Sequence, residues 1–513
     1  MFMSVELSLP FASGMVLQRE MPIRLTGRAD EDEAVTITFQ GQRYRAEPDA
    51  DGNWQAELPP LSVGGPFEMH VNELVLQDVY VGDVWLCSGQ SNMQLTMARV
   101  RYMYPEAWEE TVPAIRGLTV AQRTNFQEPC ANVESGSWQG LAPDTVDGFS
   151  AVGLFFAKRL YRQYGVPIGL LQCAVGGTPI HAWMSRNSLE AFPDLLEIAR
   201  HYEDAAYAAG LQEQESASIS RFFEEIDATD AGLPQRWFSE DFDDSLWDER
   251  PLLTPWEGSG SVWLRKTLDI PEAMAGKPAT LFLGTLKDWD CVYLGGEPIG
   301  NTTYRYPPRE YGISALPAGR CTLAIRAISK EQGGFTPGKQ YLLSTSAGCL
   351  NLNGLWRFHR GGIGTPHMTE NPPHNQPTGL YHGMLAPLQA YPIRGALWYQ
   401  GESDTGNPEN YAQKLSAMIL DWRKSWGYDF PFLFVELAHW AEGAHWHLLR
   451  GQQWEALAST PGTAMAAGED TGEFNDLHPQ NKQIIGERLA RCAMRLAYDE
   501  ALPPSPFEMI YGG

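Results

Sequence analysis

Positive charge is what this chain is shortest of: 38 Lys and Arg stand against 63 Asp and Glu, a formal net charge of −25. A deficit of that size argues against a nucleic acid or an anionic membrane as partner, because both are held by clustered cations. Long apolar runs are missing too, with no stretch reaching the roughly 18–20 residues of a membrane span. The opening MFMSVELSLPFASGMVLQRE has no basic segment followed by an apolar one, so no secretory leader is visible and a cytoplasmic location is expected. Cysteine is sparse and scattered, at 87, 130, 173, 291, 321, 349 and 492. No CxxC or Cys/His spacing occurs among them, so they read as small buried apolar residues and not as a disulfide frame or a zinc site.

What is present fits a globular, loop-rich protein: 43% hydrophobic residues with 50 Gly and 36 Pro in 513 residues. That length exceeds one ordinary core, so about two to four domains are expected. The 17 Trp and 20 Tyr offer flat faces that either pack on sugar rings or fill cores.

Texture divides the chain. Residues 1–77 carry short strand-like runs (AVTITFQG, RYRAEP) between turn clusters such as EPDADGNW, as in a small antiparallel β-sandwich. From 78 to 233 the pattern is α/β. Val84–Cys87 is a strand, AVGLFFAKRLYRQY (151–164) has helical periodicity ending on Gly165, IGLLQCAV (168–175) is another strand, and 188–230 is helical in composition. Residues 234–360 are a second all-β unit (WLRKTLDI, ATLFLGTL, CTLAIRAI), inserted into the first α/β pattern. That pattern resumes over 361–513. A strand at 393–398 precedes a helix opened by Asn407-Pro408, with the stripe Tyr411, Leu415, Met418, Ile419, Trp422 and a stop at Gly427. Strands at 431–437 and 463–467 follow, then a helix opened by Pro479 with Ile484, Ile485, Leu489 and Cys492 on one face. Alternating strands and helices predict a doubly wound, mostly parallel sheet with its site at the carboxyl ends of the strands.

Four polar clusters each follow one of these strands: GQSNM (89–93), VGGTPIHAW (175–183), YQGESD (399–404) and NDLHP (475–479). Convergence on one sheet edge would make a site of clusters that are each weak alone. Ser91 reads either as a helix cap or as a nucleophile; GQSNM lacks the second glycine of the G-x-S-x-G elbow. His478 is structural or a general base, since a neutral imidazole can take the serine proton near neutrality. Gly176-Gly177 permits close backbone approach, which makes the Gly177 N–H a candidate oxyanion donor, and the Gln400 amide is a second candidate or a strand-end brace. Glu402 and Asp404 are too close in sequence to need to face each other across a sugar and read better as loop braces. Arg450 is a substrate anchor suited to a carboxylate, or one half of an ion pair. His439, His445 and His447 lack a metal-ligand spacing, so neither metal nor cofactor is expected.

VWLCSGQSNM, VGGTPIHAW, LYHGMLAPLQAYPIRGALWYQGESD and NDLHPQNKQIIGERLA together resemble the sialate O-acetylesterase-type branch of the SGNH hydrolases. The leading stretch resembles that family's β-domain, and SVWLRKTLDI… VYLGGEPIG an inserted galactose-binding-type jelly roll, so the resemblance spans nearly the whole chain. It implies a serine esterase that removes acetyl groups from sugar hydroxyls, with Ser91 as nucleophile, His478 as base, and Gly177 and Gln400 in the oxyanion region. Glu402 and Arg450 are substrate-binding candidates on their own chemistry. The family places its acid three residues before the histidine, where this chain has Asn475. Asp476, two before, is the acid expected here, and a backbone carbonyl, Asp470 or Glu473 are the other groups able to orient the ring. The partner expected is an O-acetylated sugar; an acetylxylan esterase would use the same residues, and a non-catalytic glycan-binding protein is the rival of another class.

Overall fold

A computed structural model describes residues 5–30, 33–303, 307–366, 372–440, 443–473, 476–503 and 505–511. The chain divides into two compact units: Met1–Ala209 with Asn371–Phe474 and His478–Gly513, and Gly210–Glu370 with Asn475–Leu477.

The first unit is organised by one long strand, β1 (Leu74–Gly89), every residue of which from Val79 onward is buried. Its early part pairs antiparallel with Gly64–Val71 and parallel with Val16–Gln18. Its later part sits at the centre of a second run of strands. The boundary expected after residue 77 therefore falls inside a strand, and part of the leading β-segment shares its sheet with the α/β core, while Glu6–Leu7, Ile23–Arg28 and Asn53–Leu58 form a three-stranded sheet of their own. Beside β1 lie β2 (Val112–Thr119), β3 (Trp138–Leu141) and β4 (Ile168–Ala174), then β5 (Gly395–Tyr399), β6 (Phe432–Val435), β7 (Thr463–Ala466) and β8 (Glu508–Ile510). The order is β3-β2-β4-β1-β5-β6-β7-β8, parallel throughout except at the two edges. Central parallel strands are covered on both faces, which is why VWLCSG, GALWY and FLFV read as unbroken apolar runs and not as alternation.

Helices α1 (Ser91–Gln94), α2 (Ala151–Tyr164), α3 (Tyr411–Trp426), α4 (Trp446–Ser459) and α5 (Lys482–Leu496) accompany this sheet. The span expected for α2 is the one observed: Ser150 Oγ accepts from Gly153 N at 3.2 Å and Gly165 closes it at φ 64°. Leu154, Phe156 and Leu160 of α2 pack with Leu489, Cys492 and Ala493 of α5 over Trp85, Cys87 and Leu397 of the sheet. At about 1.5–3 kcal/mol per large apolar side chain buried, this cluster anchors the strand that carries the site. The stripe of α3 is buried as expected, with Trp422 edge-on to Trp398 at 5.8 Å. Two helix starts differ from expectation. Asn407-Pro408 lies in a turn and α3 begins at Tyr411, after Asn410 at φ 62°. Pro479 likewise precedes the true cap, Asn481, whose side chain accepts from Ile484 N.

The second unit contains a six-stranded antiparallel sheet and a four-stranded one. Leu264, Leu323 and Ile325 from the first sheet share one buried cluster with Leu281, Leu283 and Leu343 from the second. The unit is wider than the 234–360 read from β-texture. Phe222 and Ile226, near the end of helix Ala205–Thr229, are buried with Ile328, and Asp230 accepts from Ser261 Oγ at 2.6 Å and Arg326 Nε at 2.8 Å. Those tethers join helical and loop residues to a β-core, which strand periodicity cannot reveal. All seven cysteines are free; Cys87, Cys173, Cys321 and Cys492 are buried, while Cys349 is exposed.

Candidate active site

The nucleophile candidate sits where β1 turns. Gly89 has φ 129°, and a Cβ there would stand 2.3 Å from the Tyr399 carbonyl oxygen of β5, so only glycine fits. The chain then enters α1 with Gln90 as the cap residue. Ser91 is therefore the first helical residue and not the cap. Its hydroxyl lies 2.7 Å from His478 Nε2. The cap reading of Ser91 is thereby excluded, and two residues 387 positions apart in the chain share one hydrogen bond.

The imidazole is buried, at 2% exposure, and its loop is tied down from behind. Gln480 Nε2 donates to the His478 carbonyl at 2.8 Å, and Glu473 Oε1 accepts from Gln480 N at 2.7 Å. Glu473 thus braces the loop. Asp470, the other acid considered for the ring, makes a two-pronged pair with Arg488 at 2.6 Å on both prongs and is committed there. The Asp476 carboxylate accepts from Lys339 Nζ at 2.8 Å within the β-unit.

The glycine pair lies against the serine. A Cβ on Gly176 would stand 3.4 Å from Ser91 Cβ, while Gly177 has φ 77° and open space where a Cβ would point. The turn is held by Gly176 N donating to Gln94 Oε1 at 2.8 Å, by Ile180 N donating to Asp404 Oδ2 at 2.9 Å, and by Thr178 Oγ1 donating to Val175 O at 2.8 Å. No backbone hydrogen bond from the Gly177 N–H occurs among the described residues.

Gln400 is corrected by the same geometry. Its Nε2 donates to Thr178 O at 3.1 Å and to Asp404 Oδ2 at 2.6 Å, and the residue is 0% exposed. An amide nitrogen has two hydrogens, so none is left for an oxyanion. Gln400 braces the strand end, with Tyr411 Oη donating to its Oε1 at 2.9 Å. Glu402 is also a brace: it is 8% exposed, and its Oε1 accepts from Asn92 Nδ2 at 2.5 Å. Burial raises the Glu402 and Asp404 carboxyls above the usual range. Arg450 Nη2 pairs with Glu469 Oε1 at 2.9 Å, the ion-pair reading of this residue. Among the described residues no group of three His, Cys, Asp or Glu side chains is gathered as a metal site.

Sequence reading missed three residues. Gln90 Oε1 accepts from Ser403 N at 3.2 Å and joins the Ser91 turn to the 399–404 loop. Asn92 and Lys482 form a buried link considered below. Gln90 and Asn92 flank Ser91 and Lys482 follows His478 by four residues, but the pairing across the chain is visible only in three dimensions.

His181, in the VGGTPIHAW loop, gives a pH test of the site's scaffold. Desolvation, with help from Lys414, lowers its pKa to about 4, and its Nε2 lies 2.9 Å from the Asn375 carbonyl. The unfolded ring protonates near 6.5 and the folded one near 4, so stability is present above 6.5 and is lost as pH falls through that window. After allowance for the ring's partly exposed edge, the expected loss is about 2 kcal/mol. Melting curves between these two pH values should fall less steeply for His181→Gln, which keeps a donor without the titration; parallel curves would contradict the assignment.

Comparison with known proteins places the chain in a family. Residues 81–215 and 362–495, just over half of the chain, match the family described as carbohydrate esterase, sialic acid-specific acetylesterase. Sialate O-acetylesterase of Rattus norvegicus is 32% identical over 199 residues, covering 34% of this chain and 37% of the rat protein. The Homo sapiens protein of that name is 34% identical over 202 residues, covering 34% and 38%. The alignments thus span less than two fifths of either relative. In structure, a carbohydrate acetylesterase from Xanthomonas citri aligns over 97% of this chain and 77% of its own, with a TM-score of 0.60 and 24% identity, a likeness of fold. The chain belongs to the carbohydrate esterase family of sialic acid-specific acetylesterases, a family of carboxylic ester hydrolases.

Proposed function

We propose that the protein is a serine esterase that removes O-acetyl groups from sugars, with an O-acetylated sialic acid as the foremost substrate class. The observation that carries this reading is the 2.7 Å contact between Ser91 Oγ and His478 Nε2. In the reaction, Oγ attacks the acetyl carbonyl while Nε2 takes its proton. The tetrahedral oxyanion is held by the N–H groups of Ser91 and Gly177. Collapse breaks the bond to the sugar oxygen, which receives the proton from the imidazolium and leaves as an alcohol. Water, deprotonated by the same imidazole, then releases acetate and regenerates the hydroxyl. Asp476 is proposed as the carboxylate that orients the imidazole. The parallel strand order supports an SGNH-type doubly wound core, and the antiparallel insert a jelly roll of the galactose-binding type.

Acetate release tests the substrate. The expected result is faster turnover of O-acetylated sialic acid than of acetylated xylo-oligosaccharide, by about tenfold or more. The reverse preference would assign the protein to acetylxylan. A folded protein that turns over neither these sugars nor p-nitrophenyl acetate would be a glycan-binding protein.

A further inference from the structure

Lys482 follows the base by four residues, on the first turn of α5, and is 1% exposed. Long charged side chains are almost never hidden to this degree unless paired. Its Nζ donates to Asn92 Oδ1 and stands 5.3 Å from the centre of the Tyr399 ring. Asn92, the residue after the nucleophile, in turn donates from Nδ2 to Glu402 Oε1. The amide is thus bracketed by charge, with a cation on its oxygen and an anion on its NH2. Flipping it would set NH2 against ammonium and oxygen against carboxylate, so only one orientation is allowed. The ends of this chain of contacts belong to the two halves of the candidate site. Asn92 is fixed in α1 next to Ser91. Lys482 N donates to Gln480 O at 2.8 Å, and Gln480 holds the His478 carbonyl.

We propose that Lys482 is a positioning residue: acting through Asn92, it holds the nucleophile's turn in register with the base's loop. The inference rests on the serine-esterase reading above and adds to it a residue that touches neither substrate nor proton. Ser91 Oγ and His478 Nε2 meet only if both loops keep their place, and the Lys482 side chain is a second link between them, away from the reacting pair. Glu402 completes the device by setting a carboxylate on the far side of the amide that the ammonium faces.

Lys482→Met keeps the length of the side chain and removes both charge and donor. The expected result is a kcat lower by about 10–100-fold with KM within about twofold, since the reacting pair is displaced and not the sugar site. The rate at which a fluorophosphonate labels Ser91 should fall in parallel. Lys482→Arg, which keeps a cation, should recover part of kcat. Because Lys482→Met leaves Glu402 as an unbalanced buried anion, the paired variant Lys482→Met/Glu402→Gln restores neutrality; it should regain stability while kcat stays low. A folded single or paired variant with wild-type kcat and labelling rate overturns the proposal. Failure of the paired variant to fold also overturns it, since Lys482 would then be a general prop of the core. Labelling that persists in Ser91→Ala strikes the esterase reading itself, which separates the two failures.

Discussion

Ser91→Ala is expected to lower kcat for acetyl-ester hydrolysis by about 10⁴–10⁶-fold and to leave thermal stability nearly unchanged. The size follows from what is removed: without the oxygen there is no atom to carry the acyl group, and only binding and the backbone donors remain. Stability should hold because the hydroxyl's partner is His478 and not a helix-end N–H, so no cap is lost. His478→Ala should be nearly as damaging. Since serine and histidine act as one unit, the double variant should be little worse than either single one, which steady-state kinetics on p-nitrophenyl acetate can read directly. A Ser91→Ala protein with more than about one percent of wild-type kcat would contradict the assignment.

Gly89→Ala carries the largest expected cost in stability. The residue has φ 129°, and the added Cβ would stand 2.3 Å from the Tyr399 carbonyl oxygen and 2.8 Å from its carbon, which are backbone atoms that cannot swing aside. Backbone strain of this kind costs roughly 1–3 kcal/mol alone, and the clash adds to it. The expected loss is therefore about 3 kcal/mol or more, measured as a lowered urea midpoint or as loss of soluble protein. Activity should fall with it, because β1 and β5 would be forced apart at the turn that carries Ser91. A variant as stable as wild type would mean that the turn after β1 is built differently.

How much of this was legible in the sequence varies with the reach of the interaction. Helix α2 was readable to the residue, since its apolar periodicity and closing glycine are both local; the Ser150 cap emerged only with the structure. The starts of α3 and α5 were misread because Asn-Pro and His-Pro resemble helix openings, while Asn410 and Asn481 set the true starts a few residues later. The gathering of Ser91 with His478 followed from four polar clusters that each trail a strand of a parallel sheet, a rule about sheet edges and not about any one residue. Gln400 was misassigned for the converse reason: an amide looks equally suitable as an oxyanion donor or a brace until its two hydrogens are traced to Thr178 and Asp404. Arg450 depended in the same way on Glu469. The insert's limits were underestimated because Phe222, Ile226 and Asp230 join it by packing and hydrogen bonds that leave no period-2 signature.

In the proposed reaction, acetyl passes through the oxygen of residue 91. That step is tested most directly by mixing the enzyme with an activated acetyl ester, quenching in acid within the first turnovers, and locating the acetyl group by mass spectrometry of the peptides. The expected product is a single acetyl group, on Ser91, that forms before steady state and is absent from Ser91→Ala. Acetyl found on another residue of active enzyme, or rapid turnover with residue 91 never acylated, would contradict it.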